Sequence, residues 1–142
     1  LKDGTKKMSK SDPSDQSRVN LTDTKEQILN KIKKAKTDTS PMPDKISELE
    51  KRPEVENLLG IYSSLNNQNI EKSINEFSGK NFSDFKTILA DVVAENISPI
   101  SKEIIRLLQN KDYIDKILKE GSEKADKQAS QKINEIKKII GF

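Results

Sequence analysis

Lys7-Met8-Ser9-Lys10-Ser11, followed by Asp12-Pro13-Ser14, is the stretch of this chain whose residue types and spacing best support chemistry. Two ammonium groups separated by two residues and interleaved with hydroxyls form a compact set of donors. A mobile loop of this composition can close over a polyphosphate: ammonium groups neutralise its oxygens, while hydroxyls and backbone amides add hydrogen bonds. The glycines of a Walker loop are missing. With no His and no Cys, the commonest general base, the commonest metal ligand and every disulfide are excluded, and no metal-ligating set is expected. Any chemistry must rest on Lys, Asp, Glu, hydroxyls or backbone amides.

Charge supports the same end of the chain. The net charge is +3, yet residues 1–36 hold ten Lys or Arg against five Asp or Glu, and the remainder is net negative. A local positive end suits a phosphate-bearing partner, although a solvated Lys-rich arm would have the same composition. No stretch approaches a membrane span and no signal-peptide pattern is present, so a cytoplasmic location is expected.

The elements that must position this loop are helical. Hydrophobic residues make up 32% of the chain and charged residues 35%, an economical core whose apolar positions recur with helical period. Residues 1–21 lack that period and read as a turn at Asp3-Gly4 followed by a polar loop, mobile for want of an apolar anchor. A helix is expected over residues 23–36, with Ile28, Leu29, Ile32 and Ala35 inward and Thr22 or Asp23 as cap. Residues 37–53 form a Pro-punctuated linker with a helical turn around Ile46–Glu50, and Pro53 opens the next helix. Within that helix Gly60 is expected to mark close packing, and Asn57 a buried hydrogen bond to a loop. A short helix begins after Asn69 and stops at Gly79. The longest apolar run, residues 85–109, is interrupted by Pro99, where a kink or break is expected. A last helix carries the stripe Ala125, Ala129, Ile133, Ile136 and Ile140, whose small residues would admit another helix, and stops at Gly141. Tyr62, Phe77, Phe82, Phe85 and Tyr113 read as core. Asp12, Asp15 and Asp38 fit turn and capping roles better than catalysis. The fold class is all-α: a helical bundle with a non-helical arm in front.

Lys-Met-Ser-Lys-Ser is the second signature of the class I aminoacyl-tRNA synthetases, and the surrounding residues resemble the bacterial tryptophan–tRNA ligase family. Asp3-Gly4-Thr5-Lys6 and Asp12-Pro13-Ser14 look like the approach to and exit from that family's KMSKS loop, and Lys33-Lys34-Ala35-Lys36-Thr37-Asp38 like the end of its next helix. Arg52 through Tyr62 resembles its Pro-x-x-x-Asn-Leu-Leu-x-Ile-Tyr helix; Gly79 through Val93, Pro99-Ile100 and Gly121 through Ala125 also fit. The resemblance runs nearly end to end.

It implies an enzyme that activates tryptophan with ATP to tryptophanyl-adenylate and transfers the aminoacyl group to tRNA(Trp), normally as a homodimer. By that resemblance Lys10, assisted by Lys7, is catalytic; Lys7, Met8, Ser9, Lys10 and Ser11 bind ATP, and Mg²⁺ accompanies the nucleotide. Residues 1–21 would be the KMSKS loop and the end of the catalytic domain, and residues 22–142 a tRNA-facing helical domain. Its Lys-rich faces at Lys31, Lys33, Lys34, Lys36, Lys132, Lys137 and Lys138 could meet phosphates or simply solubilise helix exteriors. The family's Rossmann-like domain and its His-Ile-Gly-His signature, which with the sheet hold adenosine and L-tryptophan, have no counterpart here. The chain by itself is therefore expected to be an inactive C-terminal fragment. A tyrosine–tRNA ligase and a non-enzymatic helical RNA- or protein-binding module stay open as alternatives; an upstream His-Ile-Gly-His motif would favour the ligase.

Overall fold

The computed structural model describes residues 1–142 and is all-α: five helices, two 3-10 turns and no strand. It divides into two compact units, Leu1–Lys102 and Glu103–Phe142.

In the first unit, a 3-10 turn at Asp15–Ser17 follows the N-terminal loop. Helix α1 (Lys25–Lys33) is shorter than its apolar pattern, and Thr24 caps it. The Thr24 hydroxyl accepts from Gln27 N at 3.2 Å, and the Gln27 carbonyl returns the contact to Thr24 N at 2.8 Å. Asp23, expected as a cap, is drawn instead to Asn20 and Lys31. The helical turn in the linker is present at Ile46–Lys51, and Pro53 opens α2 (Pro53–Leu65). Helix α3 (Ile70–Phe77) is capped by Asn69, whose side chain accepts from Lys72 N at 2.8 Å.

Helices α2 and α3 approach closely through small residues. The Ser63 hydroxyl donates to Leu59 O at 2.8 Å and lies 2.7 Å from the Ser73 hydroxyl, which in turn accepts from Gln68 Nε2. The core combines Ile28 and Ile32 of α1, Val55, Leu58, Leu59 and Tyr62 of α2, Ile74 and Phe77 of α3, and Phe85, Leu89 and Val93 of α4 (Phe82–Leu108). Tyr62, Phe77 and Phe85 meet edge to face, with Phe77 centroids 4.9 and 4.8 Å from the other two rings. The Tyr62 hydroxyl reaches Glu76 at 2.8 Å; burial, then this contact, pushes its pKa up to about 12.

Two expectations fail here, and of the kink or break expected at Pro99 the break is absent. Helix α4 does not break at Pro99 but runs through it. Glu95, whose carbonyl loses its partner, and Pro99 are both exposed, so water can satisfy the freed oxygen. Gly60 is not a close contact: a Cβ there would meet nothing within 4 Å. Asn57 is half-buried on the wall of an open cavity, and no hydrogen bond ties it to a loop.

In the second unit, α5 (Lys111–Ile140) is capped by Asn110 and ends at Gly141, whose φ of 84° is left-handed. Gly121 is a tolerated interior residue. None of the residues of α5 is buried. Its Ala–Ile stripe is exposed, and Tyr113, expected in the core, is 49% exposed.

A clamped lysine loop as candidate functional site

The loop starts in close approach to α2 at Gly4. A Cβ at that position would lie 2.4 Å from the carbonyl carbon and oxygen of Pro53, so only glycine lets the Asp3-Gly4 turn sit on the first residue of α2. Asp3 closes the turn by accepting from Thr5 N at 3.0 Å and from the Thr5 hydroxyl at 2.6 Å. These hydrogen bonds, the hydroxyl's first, hold the Asp3 carboxyl below its ordinary pKa, and Lys6 lies 3.4 Å away.

Beyond the turn the five residues differ in exposure. Lys7, Ser9, Lys10 and Ser11 are exposed, whereas Met8 is half-buried. Neither Lys7 nor Lys10 takes part in an ion pair of the chain. The Ser9 and Ser11 hydroxyls lie 3.0 Å apart. Met8 packs against the core and, with Val19, Ile32, Gly60, Ile61 and Val93, lines an apolar cavity of about 500 Å³. The loop thus has an apolar anchor, contrary to expectation: Met8 is the one side chain of the five drawn toward the core, and both cations stay exposed.

The exit is held by polar groups. Asp12 accepts from Ser14 N at 2.7 Å, the expected turn role. Arg18 donates to Ser9 O, Asp12 O and Ser14 O at 3.3, 3.0 and 3.5 Å. Asp15 does more than form a turn: its carboxylate lies 2.7 Å from Lys31 Nζ and 3.5 Å from Arg18, and accepts from Asn20 at 2.8 Å. The hydrogen bond from Lys31, then that from Asn20, holds the Asp15 carboxyl below its usual range. Lys31 also reaches Asp23 at 2.7 Å, and its side chain is only 3% exposed. Burial opposes the Lys31 charge, but the two carboxylates outweigh it and raise its pKa.

Among the Lys residues read as possible phosphate contacts, Lys31 is therefore committed inside the fold, on the Ile28–Ile32 face of α1. Lys36 is paired with Glu54 at 2.6 Å and Lys132 with Glu135 at 2.8 Å; Lys33, Lys34, Lys137 and Lys138 are exposed. Asp38 is likewise more than a turn residue: besides accepting from Ser40 N, it receives both arms of the Arg52 guanidinium at 2.8 Å, which lowers its pKa. Of the residues that support the loop, Arg18 was missed from the pattern, and Gly4, Lys31 and Asp23 were read only as a turn residue, a possible phosphate contact and a cap. A signal existed for Arg18: in a chain with only three Arg, each forks onto more than one acceptor.

A lysine–hydroxyl loop seated on a helical unit in this way is matched over residues 1–100 by the family model of class I tRNA synthetases (W and Y), and the chain belongs to that family. Within it the similarity is to tryptophan–tRNA ligases. The chain is 49% identical over its whole length to the tryptophan–tRNA ligase of Rhizobium meliloti, covering 40% of that protein. It is 47% identical to that of Rickettsia felis and 44% identical to that of Caulobacter vibrioides, again over its whole length, covering 42% and 41% of them. The chain thus spans about two fifths of the length of these relatives. No helix is long and apolar enough to cross a membrane.

Proposed function

We propose that this chain carries the phosphate-binding loop and the tRNA-facing helices of a tryptophan–tRNA ligase. In the complete protein, the tryptophan carboxylate attacks the α-phosphorus of ATP. Tryptophanyl-adenylate forms, pyrophosphate leaves, and the aminoacyl group then passes to the 3′-terminal ribose of tRNA(Trp). The observation that carries this reading is the exposure of Lys7 and Lys10, free of ion pairs, on a loop that starts in close approach to α2 at Gly4 and is hydrogen-bonded by Arg18 at its exit.

Negative charge develops on the departing pyrophosphate. A cation already in place lowers that barrier because little reorganisation accompanies the step. Lys10 takes this role with Lys7 assisting, Ser9 and Ser11 donate to phosphate or loop oxygens, and Met8, its side chain packed against the core, offers its backbone near the adenine. The donor set fits phosphate oxygens; Mg²⁺ arrives with ATP as part of the substrate. Residues 1–21 complete the catalytic domain and residues 22–142 face the tRNA. The L-tryptophan pocket lies in the Rossmann-like part of the protein. The complete enzyme is a cytoplasmic homodimer, and this chain alone is inactive.

Amino-acid-dependent ATP–pyrophosphate exchange tests the reading, on this chain and on the complete reading frame, with tryptophan and tyrosine compared. Exchange in the longer protein with tryptophan only, lowered by orders of magnitude in Lys10→Ala with little change in tryptophan binding, is the expected result. Undiminished exchange in Lys10→Ala removes the assignment, and exchange with tyrosine instead changes the substrate.

A further inference from the structure

The lysines that face outward must be held by something that does not compete with them for phosphate. We propose that Arg18 is the positioning residue of the loop, fixing the backbone on both sides of Lys10 from an anchor in the core; this rests on the phosphate-loop reading above.

A single nitrogen, Arg18 Nη1, donates its two N–H groups among the carbonyls of Asp12 at 3.0 Å, Ser9 at 3.3 Å and Ser14 at 3.5 Å, so Lys10 and Ser11 lie within a segment tethered at each side. Of the remaining donors, Nε is engaged by Asn20 Oδ1 at 3.0 Å, and Nη2 forms an ion pair with Asp15 at 3.5 Å. Nε and Nη1 are committed to these acceptors, Nη2 faces the Asp15 carboxylate, and the side chain is 19% exposed, so the guanidinium is turned toward the loop backbone and its own carboxylate. The network is also neutral, two cations (Arg18, Lys31) against two carboxylates (Asp15, Asp23). The electrostatic attraction of the loop for an anion therefore comes from Lys7 and Lys10.

Behind Arg18 the chain of contacts ends in the core. Asp15 bridges to Lys31, which projects from α1 between Ile28 and Ile32. Lys31 holds Asp23, which also accepts from Asn20 N at 2.8 Å. The backbone there is fixed by the Ser101 hydroxyl of α4, which donates to Leu21 O at 2.5 Å and Asp23 O at 3.3 Å. A lysine in place of Arg18 carries the charge but cannot collect three carbonyls, an amide oxygen and a carboxylate in one plane.

The test uses the complete protein. Tryptophan-dependent ATP–pyrophosphate exchange is measured against ATP and against tryptophan for Arg18→Lys, Arg18→Met, Asp15→Asn and the pair Arg18→Met with Asp15→Asn. Amide hydrogen exchange is followed over residues 9–14. Both Arg18 variants are expected to lose roughly 10- to 100-fold in kcat/KM for ATP, the scale set by misplacing a catalytic group by about 1 Å. KM for tryptophan should hold, and amides 9–14 should exchange faster. Asp15→Asn should move the same parameters less, and the double variant should be no worse than Arg18→Met alone. Wild-type exchange in Arg18→Lys, effects of Arg18 and Asp15 that multiply, or equal losses against ATP and tryptophan would each overturn the proposal. Lys10→Ala, run alongside, separates the two failures. If it is as active as wild type, the phosphate-loop reading falls, while the amide readout still decides whether Arg18 holds the backbone.

Discussion

Residues 1–102 and residues 103–142 use the same secondary structure under opposite conditions. In the first unit each helix surrenders one face: Ile28, Leu59, Phe77 and Phe85 are all fully buried, and polar groups that go inside, such as Lys31, Asp23, Ser63 and Ser73, arrive with partners. In the second, α5 is three times as long as α1 and equally amphipathic in pattern, yet buries no residue; Ile133 and Ile136 are about half exposed. Helical periodicity announces a face able to be buried, and says nothing of what buries it. A helix that buries no residue draws more on its cap, its propensity and its i,i+3 and i,i+4 pairs, each worth tenths of a kcal/mol to about 1 kcal/mol.

The largest contrast should come from core truncation. Phe85 is fully buried against Phe77 and Tyr62, so Phe85→Ala should cost about 4 kcal/mol of unfolding free energy in this chain. Ile133→Ala, in α5, should stay within about 0.5 kcal/mol. Denaturant unfolding of the two variants checks this. A cost above about 2 kcal/mol for Ile133→Ala would mean that α5 has a partner in solution.

Ion pairs should repeat the contrast at a smaller scale. Lys31→Met leaves Asp23, 5% exposed, without its cation and should cost about 3 kcal/mol. Lys132→Met breaks a pair whose side chains are 73% and 48% exposed, at 2.8 Å against the 2.7 Å between Lys31 and Asp23, and should cost less than about 0.5 kcal/mol. The same unfolding measurement applies. Equal costs would show that distance rather than desolvation governs these pairs.

What could be read from the residues divides along the same line. Local signals were legible: Pro53 at a helix start, Asn69 as a cap, Gly141 as a left-handed stop, and the 3-10 turn in the linker. So was the Lys7–Ser11 string, since its chemistry lies in consecutive residue types. What failed depended on neighbours distant in sequence. Asp23 reads as a cap until Lys31 and Asn20 claim it; Gly60 reads as a contact until no side chain comes near; Tyr113 reads as core until α5 is found uncovered. Lys31 was readable in principle, three residues after Ile28 and one before Ile32, but a buried lysine is predicted only if its two carboxylates are also foreseen. The family assignment survived these errors because it rested on several separated motifs and not on any one contact.

The smallest expected effect separates the two regions most cleanly, because the perturbation is chemically identical. Gly60 and Gly121 both sit inside helices, and at neither would a Cβ meet an atom within 4 Å. Alanine should therefore be accommodated at both and should favour the helix by about 1 kcal/mol through propensity and a less flexible unfolded chain. At Gly60 that gain belongs to a helix that forms only with the core, so it should raise the global unfolding free energy of residues 1–102, with the new methyl facing the cavity beside Met8. At Gly121 it should slow amide exchange over the neighbouring turns of α5 and leave the main unfolding transition in place. A shift of that transition by Gly121→Ala equal to the shift by Gly60→Ala would show that α5 folds as one cooperative unit with the core, and the division between the two regions would then be geometric only.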